Sequence, residues 1–258
     1  MIEAPLINGD QLGGSEVSAR LEHYRSTAMN QIVGWLGEKV IHALDLVCEF
    51  QRVNAVRGDA IEIGVYQGRF FVALMAAIES NEIAIAADIF DDMRLNIDGS
   101  GFGIDTFSIF NANVKKYARN SEALRICQGD SMVLRPQELL SLSPQNGFRL
   151  ISVDGGHTAE HVMNDLTLAA SIINGGGVVF LDDFHSPHWP GVHEGYVRYM
   201  TNLNRNLAPA LYVDNKLLLT TVAYHRPLVD LFKARFSTWP SQEIRMVKSF
   251  GFDYAASA

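Results

Sequence analysis

The chain has 258 residues, of which 48% are apolar, and it carries a formal net charge of −8 at pH 7. This length and composition suit one large folded domain with appendages and exclude wholesale disorder. An acidic surface repels phosphate backbones, which argues against nucleic acid as a partner. Residues 1–20 lack the basic and apolar regions of a signal peptide, and no stretch is apolar enough to span a bilayer. We therefore expect a cytoplasmic protein without a membrane partner.

Two cysteines, Cys48 and Cys127, lie among apolar residues and in no metal-type spacing, which indicates buried thiols in a reducing compartment. Residues 1–57 read as a polar, glycine-containing lead-in followed by a helical cap. In the cap, "IVGWLGEKVIHALDLVCEF" repeats apolar residues at steps of three and four.

Residues 58–226 alternate short apolar strands with helices, which is typical of a parallel sheet covered on both faces. The predicted strands contain "DAIEIG", "EIAIAADIF", "LRICQGDS", "FRLISVDGG" and "GVVFLDDF", and the last two, "ALYVDN" and "KLLLTTVAY", form an antiparallel hairpin. Gly175–Gly177 is interpreted as the C-terminal cap of a helix. Residues 227–258 are predicted to form a C-terminal helical extension.

Every strand of the predicted parallel set ends in an acid. These acids, in chain order, are Glu62, Asp88, Asp130, Asp154 and the pair Asp182 and Asp183. Ligands of such sheets bind beyond the carboxyl ends of the strands. Clustered carboxylates repel one another unless a cation lies among them, so the series indicates a site rather than a set of helix caps.

The loop "EIGVYQG" after the first strand has the spacing E-x-G-x-x-x-G and not the dinucleotide fingerprint G-x-G-x-x-G. Gly64 and Gly68 allow a tight turn and a close approach of the backbone to a ligand. Glu62 beside this loop disfavours a phosphate, so a ligand with a positive centre and no phosphate fits better.

These motifs carry a resemblance. In order, "EIGVYQGRFFVAL", "AADIF", "CQGDS", "VDGGH" and "FLDDF" resemble the class I S-adenosylmethionine-dependent methyltransferases. The chain is similar above all to the metal-dependent small-molecule O-methyltransferases of the catechol, caffeoyl-CoA and macrolide-sugar types. The resemblance covers roughly residues 58–224 and implies an α/β, Rossmann-like, doubly wound and mostly parallel seven-stranded sheet with the C-terminal antiparallel hairpin and the N-terminal helical cap.

The resemblance also implies roles. The cofactor-binding residues would be Glu62, Gly64, Val65, Tyr66 and Gly68 in the glycine loop, Asp88 and Ile89 at the ribose, Asp130 and Ser131 near the adenine, and Asp154. The implied metal ligands are Asp154, Asp182 and Asp183, three oxygen donors that suit Mg²⁺. The implied catalytic residues are Asp154 and His157, with His157 as the general base that deprotonates a hydroxyl of a small-molecule acceptor.

Alternatives remain open at this point. The acids can be structural in a metal-independent methyltransferase, or the chain can be a non-catalytic cofactor-binding subunit. His157 can simply cap the helix that begins near Ala159. The segment "DDFHSPHWPGVH", with His185, His188 and His193, can hold a transition metal in a hydrolase or oxygenase. Its prolines and tryptophan also suit a substrate lid, to which Tyr24, Trp35 and residues 99–103 are further candidates. A homo-oligomer is possible.

Overall fold

The computed structural model describes residues 16–100, 105–204, 206–236 and 243–257. The helices are α1 (Glu16–Thr27), α2 (Glu38–Val53), α3 (Arg69–Ala77), α4 (Thr106–Tyr117), α5 (Pro136–Leu142), α6 (Ala159–Ile172), α7 (Pro190–Asn202) and α8 (Val222–Phe236). The strands are β1 (Asp59–Ile63), β2 (Ala84–Asp88), β3 (Leu124–Gln128), β4 (Phe148–Val153), β5 (Ile173–Leu181), β6 (Leu207–Val213), β7 (Lys216–Thr221), β8 (Ile244–Ser249) and β9 (Phe252–Ser257).

One sheet joins all these strands in the order β3-β2-β1-β4-β5-β7-β6-β9-β8. The first five neighbours are parallel, and β7 runs antiparallel to both β5 and β6. The predicted α/β architecture and its hairpin are therefore confirmed. The order in which the strands follow one another across the sheet reverses between β1 and β4, which is the switch point where doubly wound sheets bind ligands.

The predicted strand number is wrong, because the sheet has nine strands among the described residues and not seven. The predicted C-terminal helix ends at Phe236, and β8 and β9 follow as an antiparallel pair. Phe250 and Gly251 both have positive φ values, 49° and 85°, as the two central residues of a tight hairpin turn require. Both a strand pair with one exposed face and an amphipathic helix mix polar and apolar residues. The short segment of β8 and β9 was therefore mistaken for a continuation of the helix.

The prediction that Gly175–Gly177 caps the C-terminus of a helix is also wrong. Helix α6 ends at Ile172, and the glycines lie inside β5. Between the pairs Phe148↔Ile173 and Leu150↔Val178, β5 contains more residues than β4, so the glycines form a bulge. Gly176 has a φ of +82°, which favours glycine there.

Apolar residues pack on both faces of the sheet. Helices α1 to α4 and α8 contribute to one core, and α5, α6 and α7 contribute to the other. The N-terminal helices are fixed to the sheet domain: the guanidinium of Arg20 on α1 donates to the carbonyl oxygens of Ala76 and Ile78. None of the helices in the described ranges is long and apolar enough to cross a membrane.

A buried ion pair joins β4 to the segment before β2, and the same arginine also contacts the helical cap. The Arg149 guanidinium donates to both carboxylate oxygens of Glu82, at 2.9 and 2.7 Å, and the side chains are only 5% and 1% exposed. It also donates to Gln51 of α2 at 2.7 Å and to the Ala77 carbonyl at 2.9 Å. These bonds satisfy a charge that burial would otherwise make very costly.

We therefore expect Glu82→Ala to destabilise the fold by about 3–5 kcal/mol, because it leaves the Arg149 charge buried without its counter-ion. Glu160→Ala, which removes the exposed ion pair with Arg198, is the control and should cost at most about 1 kcal/mol. Denaturant unfolding of both variants measures the difference. Equal losses in the two variants would contradict the assignment.

Candidate active site

A cavity of 960 Å³ opens at the carboxyl ends of the parallel strands. The predicted site residues that line it are Glu62, Gly64, Val65, Tyr66, Asp88, Ile89, Asp130, Ser131, Asp154, His157, Asp182 and Asp183. Gly68 stands at the N-cap of α3 with a φ of +89°. The sheet topology thus brings strand ends that are far apart in sequence to one rim.

The glycine loop after β1 depends on close packing against the end of β4. Gly64 has a φ of +81°, and a Cβ there would lie 1.9 Å from the carbonyl oxygen of Asp154. Any other residue would force the two strand ends apart. The loop therefore presents bare backbone to the cavity.

Asp88 fixes the conformation of this loop. Its carboxylate accepts hydrogen bonds from the backbone N–H groups of Val65 at 2.6 Å, Tyr66 at 2.9 Å and Phe90 at 2.6 Å. Burial raises the pKa of Asp88, although these amides oppose the shift. Oδ2 accepts two of these bonds and Oδ1 accepts one, so Oδ1 is the oxygen that keeps a lone pair for a further donor.

Two acids of the rim are buried without a compensating cation of their own. Burial raises the pKa of Glu62 to about 8; its Oε1 accepts from the Ser152 hydroxyl at 2.9 Å, and its Oε2 has no partner. Burial, and next the negative charge of Asp182, raise the pKa of Asp154 well above its ordinary value. These shifts are what crowded carboxyls in a low dielectric produce.

The sequence analysis missed Lys216, which is 2% exposed and donates from Nζ to Asp182 Oδ2. The antiparallel pairs of β5 and β7 run from Val178↔Thr220 to Leu181↔Leu217, and continuing that register places Lys216 opposite Asp182. The hairpin register was the signal that could have revealed it, since the lysine immediately precedes the apolar run "LLL".

His157 lies between two carboxylates. Its Nδ1 is 2.9 Å from Asp98 Oδ2, its Nε2 is 3.1 Å from Asp183 Oδ2, and its ring stacks on Trp189 at 4.3 Å between centroids. Burial lowers the pKa of His157, but the hydrogen bonds and charges of Asp183 and Asp98 outweigh it and raise the pKa above 6.5. Thr158, and not His157, caps α6 by accepting from the backbone N–H of His161.

Asp98 is the second residue that the sequence did not reveal. Besides the imidazole, it accepts from the backbone N–H of His157 at 2.7 Å and of Ser100 at 2.9 Å. Burial opposes ionisation of Asp98, but the bonds from Ser100 and His157 prevail and lower its pKa to about 2. Asp98 lies in a loop without regular structure, 59 residues before His157 in the sequence. No motif in the residues around it indicates a role in the site.

The remaining rim acids have local partners. Asp183, at a φ of +53°, accepts from the side-chain amide of Asn215 at 2.5 Å. Burial opposes its ionisation, but the bond from His157 leads the effects that lower its pKa. Asp130 caps a short 3₁₀ turn by accepting from Met132 N–H, and it lies 3.7 Å from His161 Nε2.

Within the described residues, one group of side chains has ligand atoms close enough to share a metal ion. It consists of Asp154, His157 and Asp183, whose atoms lie within 4.8 Å of one another. Of the three predicted acids, Asp154 and Asp183 belong to this group, whereas Asp182 interacts with Asp154 and is paired with Lys216. The histidine loop is not part of this group.

That loop has a different role in packing. The rings of His185 and His193 stack on each other at 5.2 Å between centroids, and both contact the Phe184 ring at a tilted angle. His188 and Trp189 line the cavity, as the lid interpretation predicts. Of the other lid candidates, Trp35 and residues 99 and 100 lie in described segments, Tyr24 is buried, and residues 101–103 lie outside the described residues.

Comparison with known proteins supports the family resemblance. Residues 61–184 match a family model described as a methyltransferase domain. No curated protein sequence matches the chain. The O-methyltransferase NovP has a TM-score of 0.55 at 16% identity, covering 71% of this chain and 79% of NovP.

Two further structures are similar. Cofactor-bound Rv0187 from MTB has a TM-score of 0.51 at 11% identity, covering 82% of this chain and 92% of that one. The MycE methyltransferase of the mycinamycin biosynthetic pathway, in complex with Mg and SAH, has a TM-score of 0.50 at 15% identity, covering 81% of this chain and 55% of MycE. At these identities the likeness shows the fold. With the family match over residues 61–184, it confirms the predicted resemblance to the methyltransferases, and this part of the chain is a methyltransferase domain.

Proposed function

We propose that this enzyme transfers the methyl group of S-adenosylmethionine to a hydroxyl oxygen of a small molecule, with His157 as the general base. The observation that carries the proposal is the position of His157, held by Asp98 and Asp183 at the rim of a cavity that the glycine loop also lines. A fixed imidazole beside a cofactor loop is the arrangement that deprotonation of a hydroxyl requires.

The residues of the loop fit this cofactor. Gly64 has no side chain, so the loop can pass close to the end of β4 beside the cavity. The acids Glu62 and Asp88 suit a cationic ligand with a ribose, and the loop lacks the glycine fingerprint of a phosphate-binding site. When bound, S-adenosylmethionine supplies an electrophilic methyl group on a sulfonium. The assignment of Asp88 and Ile89 to the ribose, and of Asp130 and Ser131 to the adenine, belongs to this proposal.

The acceptor's proton moves to Nε2 of His157. Nδ1–H donates to Asp98, which fixes the tautomer and leaves Nε2 to accept. Asp183 Oδ2 beside Nε2 then stabilises the imidazolium that forms. The aromatic ring of Trp189, stacked on the imidazole, limits its rotation and keeps water from one face.

The Mg²⁺ that the sequence predicts does not fit the side chains as they stand. Asp182 is engaged by the Lys216 ammonium, and the atoms that do converge are two carboxylates and one imidazole. Mg²⁺ prefers an all-oxygen set. We derive no step through a metal, and Lys216 is the specific observation that favours the metal-independent form of the reaction.

The acceptor is proposed to be a small hydroxylated molecule. The cavity of 960 Å³ is large enough for the cofactor and a compact acceptor. Trp35 and Tyr66, stacked 6.2 Å apart at its wall, and Trp189 supply flat surfaces suited to a ring or a sugar face.

Gly64→Val should abolish cofactor binding, because its side chain would collide with the Asp154 carbonyl and occupy the approach to the loop. Calorimetry with S-adenosylhomocysteine, for which we expect a micromolar dissociation constant in the parent protein, measures this. Gly175→Ala is the matched control, since a Cβ there meets only Tyr224 at 3.6 Å. Full affinity in Gly64→Val would remove the cofactor from this loop.

Asp88→Ala should weaken binding of S-adenosylhomocysteine by about 1–3 kcal/mol and lower stability by a similar amount, because the loop amides lose their acceptor. Asp88→Asn keeps one carbonyl oxygen and should lose less of both. Calorimetry and thermal unfolding separate the two effects. An unchanged affinity in Asp88→Ala would place the ribose elsewhere on the rim.

His157→Ala should lower turnover by about 10²–10⁴-fold, the usual cost of losing a general base, and the loss should shrink at high pH, where hydroxide deprotonates the acceptor. In the parent enzyme only neutral His157 accepts a proton, so kcat/KM should rise with pH through a midpoint above 6.5. Asp98→Asn removes a charge that raises this pKa, and the midpoint should move to lower pH. A midpoint that is the same in all three proteins would exclude His157 as the base.

A further inference from the structure

Lys216 is the positive charge at the centre of the acid cluster. It is buried at the start of β7, its Nζ donates to Asp182 Oδ2, and the ammonium lies 4.9 Å from the centroid of the Phe70 ring. The acids whose charges act on it are Asp182, Asp154 and Glu62. The ammonium thus contacts Asp182, directly after β5, and interacts electrostatically with Glu62 in β1 and with Asp154, directly after β4.

A crowd of buried carboxyls requires a cation to remain together. In a metal-dependent site of the kind that the sequence predicts, a divalent ion supplies that charge and binds the acid oxygens directly. Here Asp182 Oδ2 is paired with the Lys216 ammonium, and Oδ1 accepts from the backbone N–H of Asp183. A divalent ion beside it would be repelled by the ammonium and would lose one of its ligands.

Asp183, which follows Asp182 in the chain, also has partners among the protein's own side chains. Asp183 accepts a hydrogen bond from the Asn215 amide at 2.5 Å, and its Oδ2 lies 3.1 Å from His157 Nε2. Asn215 and Lys216 are adjacent, so the β6–β7 turn delivers one partner to each of the two consecutive acids that follow β5. Both acids of the pair are thus satisfied by side chains that cannot dissociate.

We propose that Lys216 takes the place of a divalent cation at this site: its ammonium pairs with Asp182, so the enzyme binds no divalent metal between Asp154 and Asp182 and transfers methyl groups without one. This inference rests on the proposed function only for its statement about turnover. Its statement about metal binding stands on the ion pair alone.

The experiment compares Mn²⁺ binding, read by electron paramagnetic resonance and calorimetry, in the parent protein, Lys216→Met and the double variant Lys216→Met with Asp182→Asn. Methionine keeps the unbranched shape and most of the length of the lysine side chain and removes its charge. The parent should bind Mn²⁺ no better than the double variant. Lys216→Met should bind it at least about tenfold more tightly, and Mn²⁺ should raise its melting temperature, because three acids are left without a cation.

Two results would overturn the proposal. One is stoichiometric Mn²⁺ binding by the parent protein that Asp182→Asn removes. The other is a Lys216→Met protein whose Mn²⁺ affinity equals that of the parent. If Lys216→Met does not fold, Lys216→Gln takes its place, and the measurement on the parent protein decides by itself.

Turnover provides a second readout. The parent should keep its rate in the presence of a chelator, and a rate that is lost and then restored by Mg²⁺ would contradict the proposal. Binding of S-adenosylhomocysteine to the parent separates the two hypotheses. A parent that binds neither this ligand nor Mn²⁺ refutes the proposed function and leaves the assignment of Lys216 intact. A Lys216→Met variant that loses S-adenosylhomocysteine and gains no Mn²⁺ would assign Lys216 to the cofactor instead.

Discussion

The requirement that buried carboxyls have partners governs the structure of this site. Five parallel strands end in acids at one rim, and each acid in a low dielectric must be protonated, hydrogen-bonded or paired with a cation. The chain uses all three solutions. Glu62 and Asp154 have raised pKa values, Asp88 binds backbone amides, and Asp182 binds Lys216. The partner that each acid takes determines where its side chain lies, and these positions set the geometry of the cavity.

The same requirement explains why the loops around the cavity are ordered without regular structure. Asp88 ties the glycine loop to the end of β2, and Asp98 ties its own loop to the backbone and ring of His157. In each case a carboxylate replaces the hydrogen bonds that a helix or a sheet would provide. The acids therefore hold the scaffold of the site as well as its charge, which is why removing one affects conformation and chemistry together.

Local sequence predicted the parts of this structure that depend on neighbouring residues. The alternation of strands and helices, the acids at strand ends and the glycine loop are all local patterns, and the structure contains them. Lys216 and Asp98 escaped prediction because their roles depend on pairings across 34 and 59 residues. The glycine bulge in β5 and the final hairpin were misassigned because glycine and short polar segments serve several conformations equally well.

A lysine and a metal ion are not equivalent answers to the same electrostatic problem. A divalent ion brings twice the charge and open coordination positions, and can bind an acceptor oxygen directly and lower its pKa. An ammonium has a single charge and three donors, and here one of those donors already serves Asp182. A site built on Lys216 gains a cation that cannot be lost to a chelator, but it must activate the acceptor by other means. In the reaction that we propose, His157, with a carboxylate beside each ring nitrogen, supplies that activation.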